Sequence, residues 1–217
     1  MVSVDNGIVL LTFDDGPNDD HKTTAELLDV LKELDVKAMF SLLGENVSRY
    51  PELTRRIFDE GHIIINHGYS DKWACAMKPE EFRENLKKGY DAITAALGKP
   101  PTVKLYRPQG GFYTAEEEKI WREEGWALVP GTIRTYDAVC DKNEKERVVR
   151  QTTRKAIAEG GGIIILHDGR DSHKKIEARM SKKDGGYFNR EWIPSAVKEI
   201  IINLQKSGFV FDVSESF

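Results

Sequence analysis

The sequence predicts a single α/β domain organised on a parallel sheet, either a (β/α) barrel or a doubly wound sheet. Three observations lead there. Apolar, β-rich runs alternate with helical segments six or seven times along the 217 residues. Several of those runs are apolar throughout, as strands covered on both faces are. No repeat, low-complexity tract or linker interrupts the chain, so residues 1–217 read as one domain, of a length that (β/α) barrels routinely use.

The first strand is expected over Ile8–Phe13, where Ile8-Val9-Leu10-Leu11 exposes no polar face. A helix follows: Leu27, Leu28, Leu31 and Leu34 form one apolar stripe, with Lys22, Glu26, Asp29, Lys32 and Glu33 outside it. The second strand covers Val36–Leu43. Pro51 then opens a helix and Gly61 lies just beyond its end, the usual asymmetry of helix termini. Strands over His62–Asn66, Val103–Tyr106, Trp126–Val129, Gly162–Leu166 and Phe209–Val213 complete a set of seven. Helices fit between them at Pro79–Leu97, Ala115–Glu124, Glu144–Ala158 and Ile193–Lys206, and Gly98, Gly125 and Gly160 stop three of these. The longest irregular stretch, Asp168 to about Arg190, is rich in Lys and Arg and reads as a functional loop or a solvated surface.

Composition narrows the functional classes. With 36 acidic against 32 basic residues the formal charge is −4, which argues against a nucleic-acid binder. Two cysteines, Cys75 and Cys140, form no metal-ligand or disulfide pattern. No apolar run approaches the ~18 residues that span a bilayer. Met1–Gly7 lacks the charged head and apolar stretch of an export signal, so the protein is intracellular or its sequence begins after such a signal.

Both architectures bind ligands at the carboxyl ends of their strands, so chemistry-bearing residues should follow strand ends. They do: Asp14 and Asp15 follow the first strand, His67 the third, Arg107 the fourth and His167 the sixth. Successive side chains of an extended segment point apart. Asp14 and Asp15 can therefore serve two roles, one binding a metal and one facing a reacting water, or simply form a turn before Gly16-Pro17. His67 with Asp71 four residues on makes a metal-site pair, since imidazole and carboxylate bind the same divalent ions. His167, at the end of the most apolar strand, either enters the site or bonds a backbone carbonyl.

Together these segments resemble the polysaccharide deacetylases, carbohydrate esterase family four, also called the NodB homology domain. The resemblance rests on Thr12-Phe13-Asp14-Asp15-Gly16-Pro17, Gly44-Glu45-Asn46-Val47, Tyr50-Pro51-Glu52-Leu53, Asn66-His67, Arg107-Pro108 and Ile164-Ile165-Leu166-His167-Asp168, and runs over nearly the whole chain. It implies a distorted, often incomplete (β/α) barrel of about seven parallel strands that hydrolyses acetyl groups from sugars. By motif position Asp14 is the general base, Asp15 and His67 are metal ligands and His167 is the general acid. Arg107 holds Asp14, Asp137 tunes His167, and the backbone N–H of Gly110 stabilises the oxyanion. The implied partner is an acetylated carbohydrate, N-acetylated as in chitin or peptidoglycan or O-acetylated as in xylan. The family also implies a secreted or cell-envelope location.

Departures from the family pattern modify these expectations. The second motif ends in Asp71 where the family has His, giving an Asp15-His67-Asp71 set. Zinc is the family's ion; the harder ligands here shift preference toward manganese, cobalt or magnesium. His21 and His173 are reserve ligands. The third motif reads Arg107-Pro108-Gln109-Gly110-Gly111, where Pro and an aromatic have become Gln and Gly, although Phe112 and Tyr113 follow. Ala138 replaces the Trp that walls the acetyl pocket. Tyr69, Trp73, Tyr113 and Tyr136, all in expected loops, are the aromatics that could stack on a sugar ring. These changes admit other readings: hydrolysis of a non-acetyl amide, or a catalytically silent sugar-binding protein on the same fold.

Overall fold

The computed structural model describes residues 5–19, 22–169 and 189–213. In chain order these form β1 (Ile8–Gly16), α1 (Thr23–Glu33), β2 (Met39–Leu42), α2 (Gly44–Arg49), α3 (Pro51–Asp59), β3 (Ile63–Asn66), α4 (Pro79–Leu97), β4 (Leu105–Tyr106), α5 (Ala115–Glu123), β5 (Ala127–Leu128), β6 (Ile133–Arg134), β7 (Gly162–His167), α7 (Ile193–Lys206, after α6 at Lys145–Glu159) and β8 (Val210–Phe211). His21, His173 and most of the stretch between Asp168 and Arg190 lie outside the described residues.

The strands are parallel and ordered β5-β4-β3-β2-β1-β7-β6, with β8 paired to the start of β1 at Ile8 and Val9. The two edge strands, β5 and β6, are consecutive in the chain. Only residues 129–132 separate them, and that much chain spans at most roughly 18 Å from strand to strand. The sheet must therefore curl until its edges approach, and it forms a curled, incomplete (β/α) barrel rather than an open doubly wound sheet.

The alternation of side chains across each strand sorts the core into two layers. Outward-facing Val9, Leu11, Phe13, Phe40, Leu42, Ile64, Ile164 and Leu166 pack against the helices, meeting Leu27, Leu28 and Leu31 of α1 and Ile193, Val197, Ile200, Ile201 and Leu204 of α7. Inward-facing Leu10, Met39, Ile65, Leu105 and Ile163 fill the barrel interior with Val129 and Val213. Truncating one of these to Ala would cost about 2–5 kcal/mol. The same parity continues upward from that apolar plug. In β1 the inward row runs Leu10, Thr12, Asp14; in β7 it runs Ile163, Ile165, His167; after β3 and β4 it reaches His67 and Arg107. The periodicity that builds the core thus delivers the polar side chains to the carboxyl-end mouth.

The helices end as their sequences dictate. Thr114 caps α5 through a reciprocal capping box with Glu117, and left-handed Gly98 and Gly160 close α4 and α6. Three expectations need adjusting. β1 extends to Gly16, so Asp14 and Asp15 belong to the strand instead of following it. β2 is confined to Met39–Leu42, half of the expected Val36–Leu43. β6 has no counterpart in the sequence pattern, because two residues carry no readable period.

Candidate active site

Asp14, Asp15, His67, Asp71, Arg107 and His167 all line one pocket of about 430 Å³ at the barrel mouth. Asp14 and His167 are directly paired residues of β1 and β7. Parallel neighbours in register project to the same side, so their side chains enter the pocket together.

Asp15 also reaches this pocket, which alternation alone would forbid. The register of β1 against β2 shifts between Asp14 and Gly16, and Asp15 takes a left-handed φ of 71°. Such a bulge re-aims a side chain, so both carboxylates converge on one cavity from different angles. The Asn46 amide fixes the turn by donating to the Asp15 carbonyl at 2.8 Å.

Each reactive group has its own counter-ion. Arg107 Nη1 donates to Asp14 Oδ1 at 2.6 Å and to the Thr12 hydroxyl at 2.7 Å. Its other nitrogens donate to the carbonyls of Val129 at 3.1 Å and Pro130 at 3.2 Å. The guanidinium is almost wholly buried, so the pair is a desolvated, charge-assisted contact. Asp14 Oδ2 remains for the pocket.

His167 is held by Asp137, whose Oδ1 lies 3.0 Å from Nδ1 and whose Oδ2 accepts the His167 backbone N–H at 2.9 Å. Burial opposes the charged imidazole, but the charge and hydrogen bond of Asp137, aided by Asp15 and Asp14, outweigh it and raise the pKa to about 9. Asp137 is wholly buried; burial would raise its pKa, but His167 and Arg190 together bring it down to about 2. Sequence reasoning missed Arg190. Its guanidinium pairs with Asp137 Oδ2, donates to the Asp137 carbonyl at 2.9 Å and reaches the His167 carbonyl at 3.0 Å.

His67 Nδ1 lies 2.8 Å from the Arg107 carbonyl, which can only accept, so Nδ1 carries the proton and Nε2 presents its lone pair. Nε2 is 3.4 Å from Asp15 Oδ1. That is about the separation of two donors each ~2.1 Å from one tetrahedral ion, so this pair fits a divalent metal. Burial would lower the pKa of His67, but hydrogen bonding to Asp15 and the charges of Asp14 and Asp15 raise it, a second sign of a cation-seeking spot. Among the described residues no three His, Cys, Asp or Glu side chains are gathered closely enough to hold an ion. Asp71 shares the pocket wall without closing a triad in this conformation.

The segment behind the second motif is held by Asn66, Asn85 and Gln109. Asn85 Oδ1 accepts the backbone N–H groups of Tyr69 and Ser70 at 3.1 and 3.0 Å, and Gln109 Nε2 donates to the Ser70 carbonyl at 3.1 Å. Gln109, one of the departures from the family pattern, is thus a buried brace for the His67–Asp71 turn. Gly68, at φ 77°, is required there: a Cβ would come within 1.8 Å of the Gln109 amide.

Of the four candidate stacking aromatics, Trp73, Tyr113 and Tyr136 line the pocket and are exposed. Trp73 lies over Gly110, which also lines it. Tyr69 is a correction: its ring packs against Gly44 and does not line the pocket, because the Asn85 brace turns the backbone that carries it. Ala138 lies on the wall as expected from its motif position. Asp168 is fully buried; burial raises its pKa to about 7, and its Oδ2 accepts the Thr24 hydroxyl at 2.5 Å. No helix among the described residues is long and apolar enough to cross a membrane.

The profile of the polysaccharide deacetylase family matches residues 2–129. A peptidoglycan-N-acetylglucosamine deacetylase of Bacillus cereus is 37% identical over 129 residues, covering 59% of this chain and 46% of that protein. A second from the same organism is 32% identical over 74% of this chain and 59% of its own length. The chain therefore spans about half the length of these two curated relatives. A chitooligosaccharide deacetylase of Rhizobium leguminosarum bv. trifolii is 32% identical over 76% of this chain and 73% of its own. Among solved structures, the Bc1960 peptidoglycan N-acetylglucosamine deacetylase superposes with a TM-score of 0.76 at 28% identity, over 99% of this chain and 89% of that one. An acetyl xylan esterase of the same esterase family from Clostridium thermocellum, in complex with a cobalt ion, gives 0.71 at 26% identity over 94% and 87%.

Proposed function

The chain belongs to the polysaccharide deacetylase family, a family of hydrolases of acetylated carbohydrate, and from that premise we propose that it removes N-acetyl groups from a sugar oligomer or polymer with the help of one divalent metal ion. One observation carries this reading. Asp14 and His167 face one pocket from paired strand positions, the carboxylate against a guanidinium and the imidazole against a buried carboxylate. A site that only bound sugar would gain nothing from a base and an acid held apart in this way.

Asp15 and His67 would hold the ion, with Asp71 as third ligand. Such an ion, when bound, polarises the acetyl carbonyl and supports ionisation of water; the cobalt-bound acetyl xylan esterase is consistent with it. The chain's own groups do the rest. Asp14 Oδ2 takes the proton of the attacking water, and Arg107 holds that carboxylate in place through its hydrogen bond to Oδ1. Asp137 anchors Nδ1 of His167, so Nε2 delivers its proton to the departing amine. The N–H of Gly110 would donate to the oxyanion. Trp73, Tyr113 and Tyr136 offer faces for the sugar rings.

The names of the relatives favour amide over ester substrates. Acetate release from chitooligosaccharides, peptidoglycan and acetylated xylan tests the reading, with Asp14→Asn as control. Release from the first two, lowered by about 10²–10⁴ in the variant, is expected. No acetate from any of them with zinc, manganese, cobalt or magnesium would refute it.

A further inference from the structure

We propose that Arg134 is a specificity-determining residue that selects sugars carrying a carboxylate beside the acetylated position. The inference rests on the deacetylase reading and names the substrate class of that same site.

Arg134 ends β6 and pairs in register with Ile165 of β7. Parallel partners share a face. Ile165 lies on the inward row that leads to His167, and Ile133 packs outward in the helix-facing core. Arg134 therefore projects into the mouth, one step below the acid. With strands ~4.8 Å apart and two residues of rise, its Cα is roughly 8 Å from that of His167. Its side chain lines the pocket while Arg134 as a whole stays exposed.

The other arginine of this pocket, Arg107, is committed to Asp14. Arg134 is not committed. Among the described residues its guanidinium has no carboxylate and no hydrogen-bond partner; its one ring contact is with Phe112, 5.6 Å from the centroid. Stacking orients a guanidinium without consuming its donors. A preoriented cation with a free donor fork suits a carboxylate, which it can bind through two parallel hydrogen bonds.

The third motif also bears on this residue. Gly111 has φ 76°, and a Cβ there would sit 2.8 Å from Arg134 Nη2, so the glycine makes room for the guanidinium. Ala138 lines the same pocket at the position where the family has Trp. A pocket built for a neutral acetamidosugar alone has no use for an uncommitted cation.

Two sugar carboxylates fit this chemistry, a uronic acid at C6 and an ether-linked lactyl acid at O3. The test compares acetate release from chitotetraose, C6-oxidised chitotetraose and an oligosaccharide containing N-acetylmuramic acid. In the wild type, kcat/KM should favour one acidic glycan over the neutral one by about tenfold, and which one identifies the source. Arg134→Ala should bring that ratio near one, Arg134→Glu should invert it, and Arg134→Lys should keep part of it. Raising salt from about 0.01 to about 0.5 M should shrink the preference in the wild type, a readout that needs no variant. Equal rates on all three glycans, or a preference that survives Arg134→Ala, would overturn the proposal. Calorimetry on Asp14→Asn separates the two readings. A binding preference for the acidic glycan without any acetate release would leave Arg134's role standing and remove the hydrolase; absence of both would remove both.

Discussion

Replacing Asp137 by asparagine keeps the shape of the His167 clamp and removes its charge. In the intact protein that charge, with its hydrogen bond, raises His167 to about 9 against the opposing effect of burial. Without it only Asp15 and Asp14 oppose burial, and the imidazole should fall to about its ordinary value near 6.5 or lower. At pH 8 about nine tenths of the wild-type imidazole is protonated. In Asp137→Asn the protonated fraction is at most about 3%, so the acid is depleted by about 30-fold. The loss should shrink toward pH 6, giving a kcat profile whose alkaline limb moves acidward by two pH units or more. The direct assay is NMR titration of the His167 ring carbon-bound proton in chelator-treated protein, wild type against variant. Asparagine also breaks the buried ion pair between Asp137 and Arg190, a cost of about 3–5 kcal/mol; a double change with Arg190→Met retains the test if the single variant does not fold. An unmoved His167 titration in a folded variant would refute the assignment of Asp137 as the group that keeps the acid charged.

Arg107→Ala should destabilise by about 3–5 kcal/mol, because it leaves the Asp14 carboxylate buried without its partner; thermal melts by circular dichroism measure this, and no loss would contradict the buried pair. His62 lies far from the pocket, accepts the Ala38 N–H at 3.2 Å, and is lowered to about 4 by burial and then by Lys37. Its folded value lies below the unfolded one, so the unfolded chain protonates first as pH falls; the stability is present above about 6.5 and is lost toward about 4. Asp168 acts with the opposite sign over that range, so the difference in pH slope between wild type and His62→Phe is the decisive quantity, and equal slopes would refute the assignment. Chelation should abolish acetate release, with manganese or cobalt restoring it at least as well as zinc. Asp71→His should move that order toward zinc, and calorimetric metal affinities unchanged by the substitution would argue against Asp71 as a ligand.

Reading the sequence worked best where long apolar runs fixed parity. Ile8–Phe13 and Gly162–Leu166 each bury both faces, so the polar residues at their ends had to emerge at the mouth, and Asp14 and His167 do. The same argument placed His67 and Arg107. It failed where local geometry broke the period: Asp15 shares the pocket with Asp14 because of a left-handed residue within the strand, which no hydrophobic pattern records. β6 is two residues long, so Arg134 carried no signal beyond its charge. Arg190 lies 53 residues from Asp137, at the far end of the irregular run that starts at Asp168, and only the fold brings them together. Tyr69 shows the converse limit, since a loop aromatic can be located from sequence while the direction of its ring depends on the Asn85 brace.

The strands that bound the barrel's gap never bond to each other, and Arg107 reaches the carbonyls of the short connection between them while gripping Asp14. One side chain is therefore both rivet and trigger guard. A descendant that shed catalysis by discarding it would also loosen the seam of its own scaffold. Silent members of such a lineage should instead surrender Asp14 or His167 and leave the rivet in place.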